Sequence, residues 1–228
     1  MLDKLVKQTI HISLFVQVIT TVLSLDGFTL KLSENDKILK EILGIETIVQ
    51  VVEGVFYVWI ISSLNDLNKM TPRRYIDGFI TTPTMLFSTI IFFKYNELKE
   101  KGISKPMTAL GFYNENKDNV QKIVIYNALM LLFGYLGETG VIDKKIGVPI
   151  GFIFFYLSFE LIYKEYAVKS TQGVELFKLL TVLWSLYGFA AILPVKQKNI
   201  CYNFLDIFSK NFYGLYIYYK IRQISIKE

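Results

Sequence analysis

The chain has 228 residues, of which 52% are hydrophobic and 15% aromatic, and its mean hydropathy is +0.37. That composition argues against a water-soluble domain and for a protein surrounded by lipid. One cysteine, Cys201, excludes an internal disulfide, one histidine, His11, argues against a His- or Cys-based metal centre, and the net charge of +5 gathers at the ends of apolar segments, as membrane topology requires and nucleic-acid binding does not.

Seven apolar segments follow one another, at 6–25, 42–63, 74–95, 120–138, 146–163, 174–193 and 201–219. A bilayer is crossed by about 20 helical residues, so each is close to spanning length. No small-residue cleavage site follows the first, which reads as a retained helix. The links at 26–41, 64–73, 96–119, 139–145, 164–173 and 194–200 are too short for a second domain. The expected fold is therefore an all-α membrane protein, a seven-transmembrane-helix bundle forming one domain over residues 1–228. Lys and Arg are denser on the links at 26–41, 96–119 and 164–173 and after 219, which predicts the N-terminus outside and the C-terminus inside.

The first segment carries His11, Ser13 and Gln17, and His11 reads as an interhelical histidine. In the second, Glu46, Gln50, Glu53 and Tyr57 recur at spacings of four, three and four. That period draws one polar stripe along an apolar helix, the lining of a hydrated path or a buried hydrogen-bond network. In the third, Arg74, Asp77 and Thr81 share a helix face ahead of Pro83, whose missing N–H the neighbouring Thr hydroxyls are expected to offset. The fifth has Phe154 and Phe155, and the sixth Trp184, Tyr187 and Gly188, positions that core packing alone would explain. The seventh holds Asp206 and Lys210 one turn apart in the middle of an apolar run. A charge at mid-membrane costs at least about 2.5–3.5 kcal/mol, so the pair marks either a functional site or an ion pair that neutralises itself. Cys201 reads as an unreactive buried thiol.

Arg74-Tyr75-x-Asp77-x-x-x-Thr81-Thr82-Pro83, Trp184-x-x-Tyr187 and Asp206-x-x-x-Lys210, in the third, sixth and seventh of seven segments, together resemble the microbial (type 1) rhodopsins. The resemblance covers essentially the whole chain. It implies retinal, all-trans in the dark, bound as a protonated Schiff base to Lys210 with Asp77 and Asp206 as counterions. Arg74 would lie outside them, and Tyr57 and Tyr187 would bond to Asp206. Phe155, Trp184 and Tyr187 would wall the polyene, with Thr82, Met130, Gly134 and Gly137 at further pocket positions. A buried cation needs such anionic partners, and the cofactor supplies the photochemistry.

Outward proton pumps of this kind carry a carboxylate where this chain has Ser88, and Pro194 to Tyr202 holds no counterpart of their proton-release glutamates. Gly78 and Gly188 stand where the family usually has Trp and Pro. Glu53 and Asn211 match the central gate of channelrhodopsins, Ser13 is the candidate for its serine, and Thr82 with Asn127 match the pair joining the third and fourth helices. These features look most like the channelrhodopsins of giant viruses. The resemblance implies a light-gated channel for H+, Na+, K+ or Ca2+, multi-pass in a bilayer, a homo-oligomer, and not an enzyme; in a virus it would act in the host cell membrane. An outward proton pump, a slow photosensor and a chromophore-free transporter are the alternatives.

Overall fold

A computed structural model describes residues 2–225; Lys227, one of the basic residues behind the orientation, lies outside them. Each apolar run becomes a helix: α1 (Leu2–Asp26), α2 (Ile38–Ile61), α3 (Met70–Glu100), α4 (Ala109–Glu138), α5 (Lys144–Glu165) and α6 (Thr171–Ala191). These six are long and apolar enough to cross a membrane. The seventh crossing joins α7 (Val195–Asp206), a π-helical turn (Ile207–Asn211) and α8 (Phe212–Ser225) without a break. Among the described residues there is no strand.

Local chemistry fixes the helix ends. The side chains of Thr108, Asp143 and Ser170 accept from the amides of Gly111, Lys145 and Gly173, capping α4, α5 and α6. Gly102 and Gly140 take φ of +66° and +77° just beyond α3 and α4, a backbone state other residues rarely adopt. The polar stretch from Asn114 to Asn119, expected as link, is helical, so α4 begins well before residue 120. Hydropathy marks only the part of a helix that lies in lipid.

In α1 the usual amphipathic pattern is inverted. Ile12, Phe15, Val18 and Val22 face outward, whereas Thr9, Ser13, Gln17, Thr20 and Ser24 are buried. From Thr9 to Ser24 this polar face rises about 22 Å. Glu46, Gln50, Glu53 and Tyr57 of α2 are likewise buried, as the stripe predicted. Such polar groups are kept inside a bundle because lipid offers them no partner.

Calling the end where α1 and α7 begin the near end, the far end closes differently. There Leu39, Ile42, Leu43, Ile90, Phe92, Phe93, Ile217 and Ile221 form a fully enclosed apolar core. Beyond it Asp36 pairs with Lys99 at 2.6 Å and accepts from Tyr95 at 2.6 Å, tying the α1–α2 link to α3. Burial opposes the Asp36 charge, yet Lys99, Tyr95 and Ser33 hold its carboxyl below the usual range.

Three expectations need correction. His11 is exposed, with Nδ1 2.5 Å from the Lys7 carbonyl of its own helix, so it bridges no helices. Cys201 is half-buried rather than enclosed. Gly137 lines no pocket but faces α5, where a Cβ on it would lie 3.5 Å from the Lys144 Cα and 3.8 Å from the Gly147 Cα.

Candidate functional site

The π-helical turn places Lys210. A normal helical bond runs four residues back, but here the Phe212 amide bonds the Ile207 carbonyl, which widens the turn that carries Ser209, Lys210 and Asn211. The Lys210 side chain is almost fully buried, and its Nζ meets carboxylates from three elements. It donates to Asp77 of α3 at 3.0 Å, lies 3.0 Å from Glu53 of α2, and stands 3.7 Å from Asp206 of α7. The expected face-sharing of Asp206 and Lys210 holds, yet the nearer anions belong to other helices.

Arg74 completes the charge balance. It donates to Asp206 at 2.9 Å rather than pairing with Asp77 three residues along its own helix. Asp206 also accepts from Tyr57 and, at 2.7 Å, from Tyr187, and Tyr187 meets Ser209 at 2.6 Å. Three carboxylates thus face two cations in an enclosed site. A proton held among the three leaves the cluster neutral, which burial favours strongly.

One cavity of about 150 Å3 opens from this cluster. Lys210, Asp77, Asp206, Trp184, Tyr187, Thr82, Met130, Gly134 and Phe155 all line it, and so do Gly78 and Gly188. Phe152 was not anticipated: it lies where any Cβ on Gly188 would have to go, so the pair exchanges bulk between α5 and α6. Thr82 accepts from Asn127 at 2.7 Å, joining α3 to α4. The hydroxyls of Thr81, Thr82 and Thr84 bond the carbonyls of Asp77, Gly78 and Ile80, bracketing the Phe79 carbonyl that Pro83 leaves without its partner.

The residues expected to form a gate do not bond to one another. Ser13 donates to Tyr57 at 3.0 Å, Asn211 accepts from Thr20 at 3.1 Å, and Glu53 lies beside Lys210 with neither oxygen hydrogen-bonded. On α1 it is Gln17, donating to the Gln50 carbonyl at 3.0 Å, and Thr20 that share the level of Asn211. Sequence reading also missed Asn199 and Asn203, which hold Arg74 from the near end, with Asn203 donating on to Thr9 at 2.8 Å. Their signal was present: Asn199, Asn203, Asp206 and Lys210 recur at four, three and four.

Residues 8–224 match the family described as bacteriorhodopsin-like protein. The chain belongs to the bacteriorhodopsin-like family. The family binds retinal, and its members are multi-pass membrane proteins. The structure of viral rhodopsin OLPVRII superposes with a TM-score of 0.80 at 26% identity, covering 96% of this chain and 99% of that one. Blue light-absorbing proteorhodopsin from Med12 gives 0.73 at 18%, covering 96% of each chain. Halorhodopsin from Halobacterium salinarum gives 0.68 at 14%, covering 98% and 95%. No curated protein matches the sequence. The residues fit retinal: a buried primary amine sits at a cavity walled by Phe152, Phe155, Trp184 and Tyr187, with carboxylates to balance a cation at the amine.

Proposed function

We propose that this protein is a light-gated cation channel, folded as one domain with its N-terminus outside, whose retinal is carried by Lys210. The observation that supports this most is the polar seam between α1, α2 and α7. It is continuous from Asn199, Asn203 and Thr9 at the near end, past Arg74, Ser13, Tyr57 and Glu53, to Gln17, Gln50, Thr20 and Asn211. A helix that turns its whole polar face inward, away from lipid, gives a cation oxygen donors along most of the membrane. Bound at Lys210, retinal supplies light absorption and a change of shape.

In this reading Asp77 accepts the proton from the Lys210 nitrogen, since it is the carboxylate hydrogen-bonded to it. Asp206 stays ionised between Arg74, Tyr57 and Tyr187, and holds the near side of the site in place. Losing the Lys210 charge frees Glu53, whose nearest cation that is. The seam then loosens beside Glu53, and cations pass the carboxylate. Thr82 and Asn127 couple the motion of α3 to α4.

Two variants follow. Glu53→Gln is expected to change the ranking of permeant cations while the pigment forms normally; light-evoked currents in sodium, potassium and calcium measure it, and an unaltered ranking would remove Glu53 from the path. Asp77→Asn removes the anion hydrogen-bonded to Lys210, and a marked shift of the visible absorption is expected; a superimposable spectrum would mean the counterion is elsewhere. Liposomes loaded with sodium and supplied with retinal test the channel itself, because illumination should release sodium down its gradient. Sodium retained while light moves protons would favour an outward proton pump, a reading that the enclosed apolar core at the far end supports.

A further inference from the structure

Lys198 is a cation that the Lys210 site leaves unused, and it is fully enclosed, with 0% exposure. It lies in the first turn of α7, and its Nζ donates to Glu138, the last residue of α4, at 2.6 Å. Lys144, the first residue of α5, meets the same Glu138 oxygen at 2.9 Å. One carboxylate therefore ties three helices together at the near end. Lys144 is half-exposed and has water as an alternative partner, whereas the Lys198 amine is closed off from solvent and depends on Glu138.

The platform that presents Glu138 is rigid. α4 and α5 pack so closely that a Cβ on Gly147 would lie 2.7 Å from the Phe133 carbonyl oxygen. One turn before Glu138, a Cβ on Gly134 would lie 2.7 Å from the Tyr75 ring of α3. Neighbouring residues on a helix point about 100° apart, so while Lys198 turns to α4, Asn199 turns to α3. There Asn199 accepts from Arg74 at 3.4 Å and donates to Thr71 at 3.4 Å. Asn203, one turn on, also accepts from Arg74, so holding the first turn of α7 holds both amides on that guanidinium. Lys196 of the same turn pairs with Asp3 of α1, but both partners are exposed and such a pair contributes little.

We propose that Glu138 is a positioning residue for Arg74: by keeping the Lys198 amine inside, it fixes Asn199 and Asn203, and with them the cation at the near-end barrier of the seam. Glu138 bonds to neither Arg74 nor the Lys210 cluster and works through α7. Without its charge, Lys198 is a buried ammonium with no anion, a state costly enough that the turn moves outward to bring the amine to water. Asn199 and Asn203 leave with it, and Arg74 is left with Asp206 and Tyr57. The inference deepens the near end of the proposed site and holds for a channel and a pump alike.

Nitrogen-15 spectra of arginine-labelled, retinal-free protein test it. The chain has three arginines. Arg73 lies over Trp59 and Arg222 is exposed, so the buried Arg74 gives signals of its own. Glu138→Gln should shift the Arg74 side-chain signals and leave those of Arg73 and Arg222 in place, a selectivity that general loosening would not produce. Adding Lys198→Met removes the unpaired amine and should return the wild-type Arg74 signals, and folding too if the single variant does not fold. In retinal-loaded protein, Glu138→Gln should move the acid-induced colour change up by about one pH unit, because a displaced Arg74 does less to keep Asp206 ionised. The other groups around Asp206, namely Tyr57, Tyr187 and Lys210 with its partners Asp77 and Glu53, are the same in the variant. An unmoved Arg74 in Glu138→Gln, or a double variant in which neither folding nor Arg74 recovers, would overturn the inference. A wild type that stays colourless with retinal would overturn the attachment at Lys210 and leave the arginine signals to decide on Glu138.

Discussion

Lys210→Ala is expected to abolish retinal-dependent colour completely. On this account Lys210 supplies the primary amine that opens onto the cavity, and it is held there by Asp77, Glu53 and Asp206. The alanine variant also removes the cation that these carboxylates face, so loss of colour could follow from misfolding. Lys210→Arg separates the two effects. It keeps a positive charge in the site but has no primary amine, and its planar guanidinium differs from ammonium in shape rather than sign. Arg at this position should fold, measured as a monodisperse protein with wild-type helical content, and should remain colourless when retinal is added. A visible band in either variant would place the attachment elsewhere.

The second large effect is on stability. Asp206→Ala should destabilise the protein by about 3–5 kcal/mol, the range for removing one partner of a buried ion pair. Arg74 would lose its carboxylate at 2.9 Å, and the hydroxyls of Tyr57 and Tyr187 would lose their acceptor in the same step. For a chain of this size that corresponds to a fall in midpoint temperature of roughly 6–20 °C. Asp206→Asn, which keeps an acceptor for the tyrosines but not the charge, should fall between wild type and the alanine variant. Thermal unfolding in one detergent at fixed pH measures the series. A change below about 1 kcal/mol for the alanine variant would contradict the pairing, because exposed pairs have that value.

Much of this arrangement could be read from residue order alone, because period reports what a helix buries. Glu46, Gln50, Glu53 and Tyr57 at four, three and four predicted a buried polar face, and all are enclosed. Apolar runs located every membrane crossing, though not the helix ends, since α4 extends through polar residues that lie beyond lipid. The π-helical turn could not be read at all. Nothing in Ile207-Phe-Ser-Lys-Asn211 distinguishes it from regular helix, yet it sets which anions Lys210 meets. Arg74 shows the same limit: spacing places Asp77 beside it, whereas packing of α7 gives it Asp206, Asn199 and Asn203. Partners within a helix follow from sequence distance, but partners across helices depend on crossing geometry, which a single helix does not encode.

Voltage-clamp recording of light-evoked current, in cells expressing the protein and supplied with retinal, tests the central claim most directly. With voltage and external sodium both varied, the account predicts a current that changes sign, at a potential that moves with the cation gradient. A current that stays outward at every voltage would contradict a channel and show active transport instead, with Asp77 as a pump's proton acceptor.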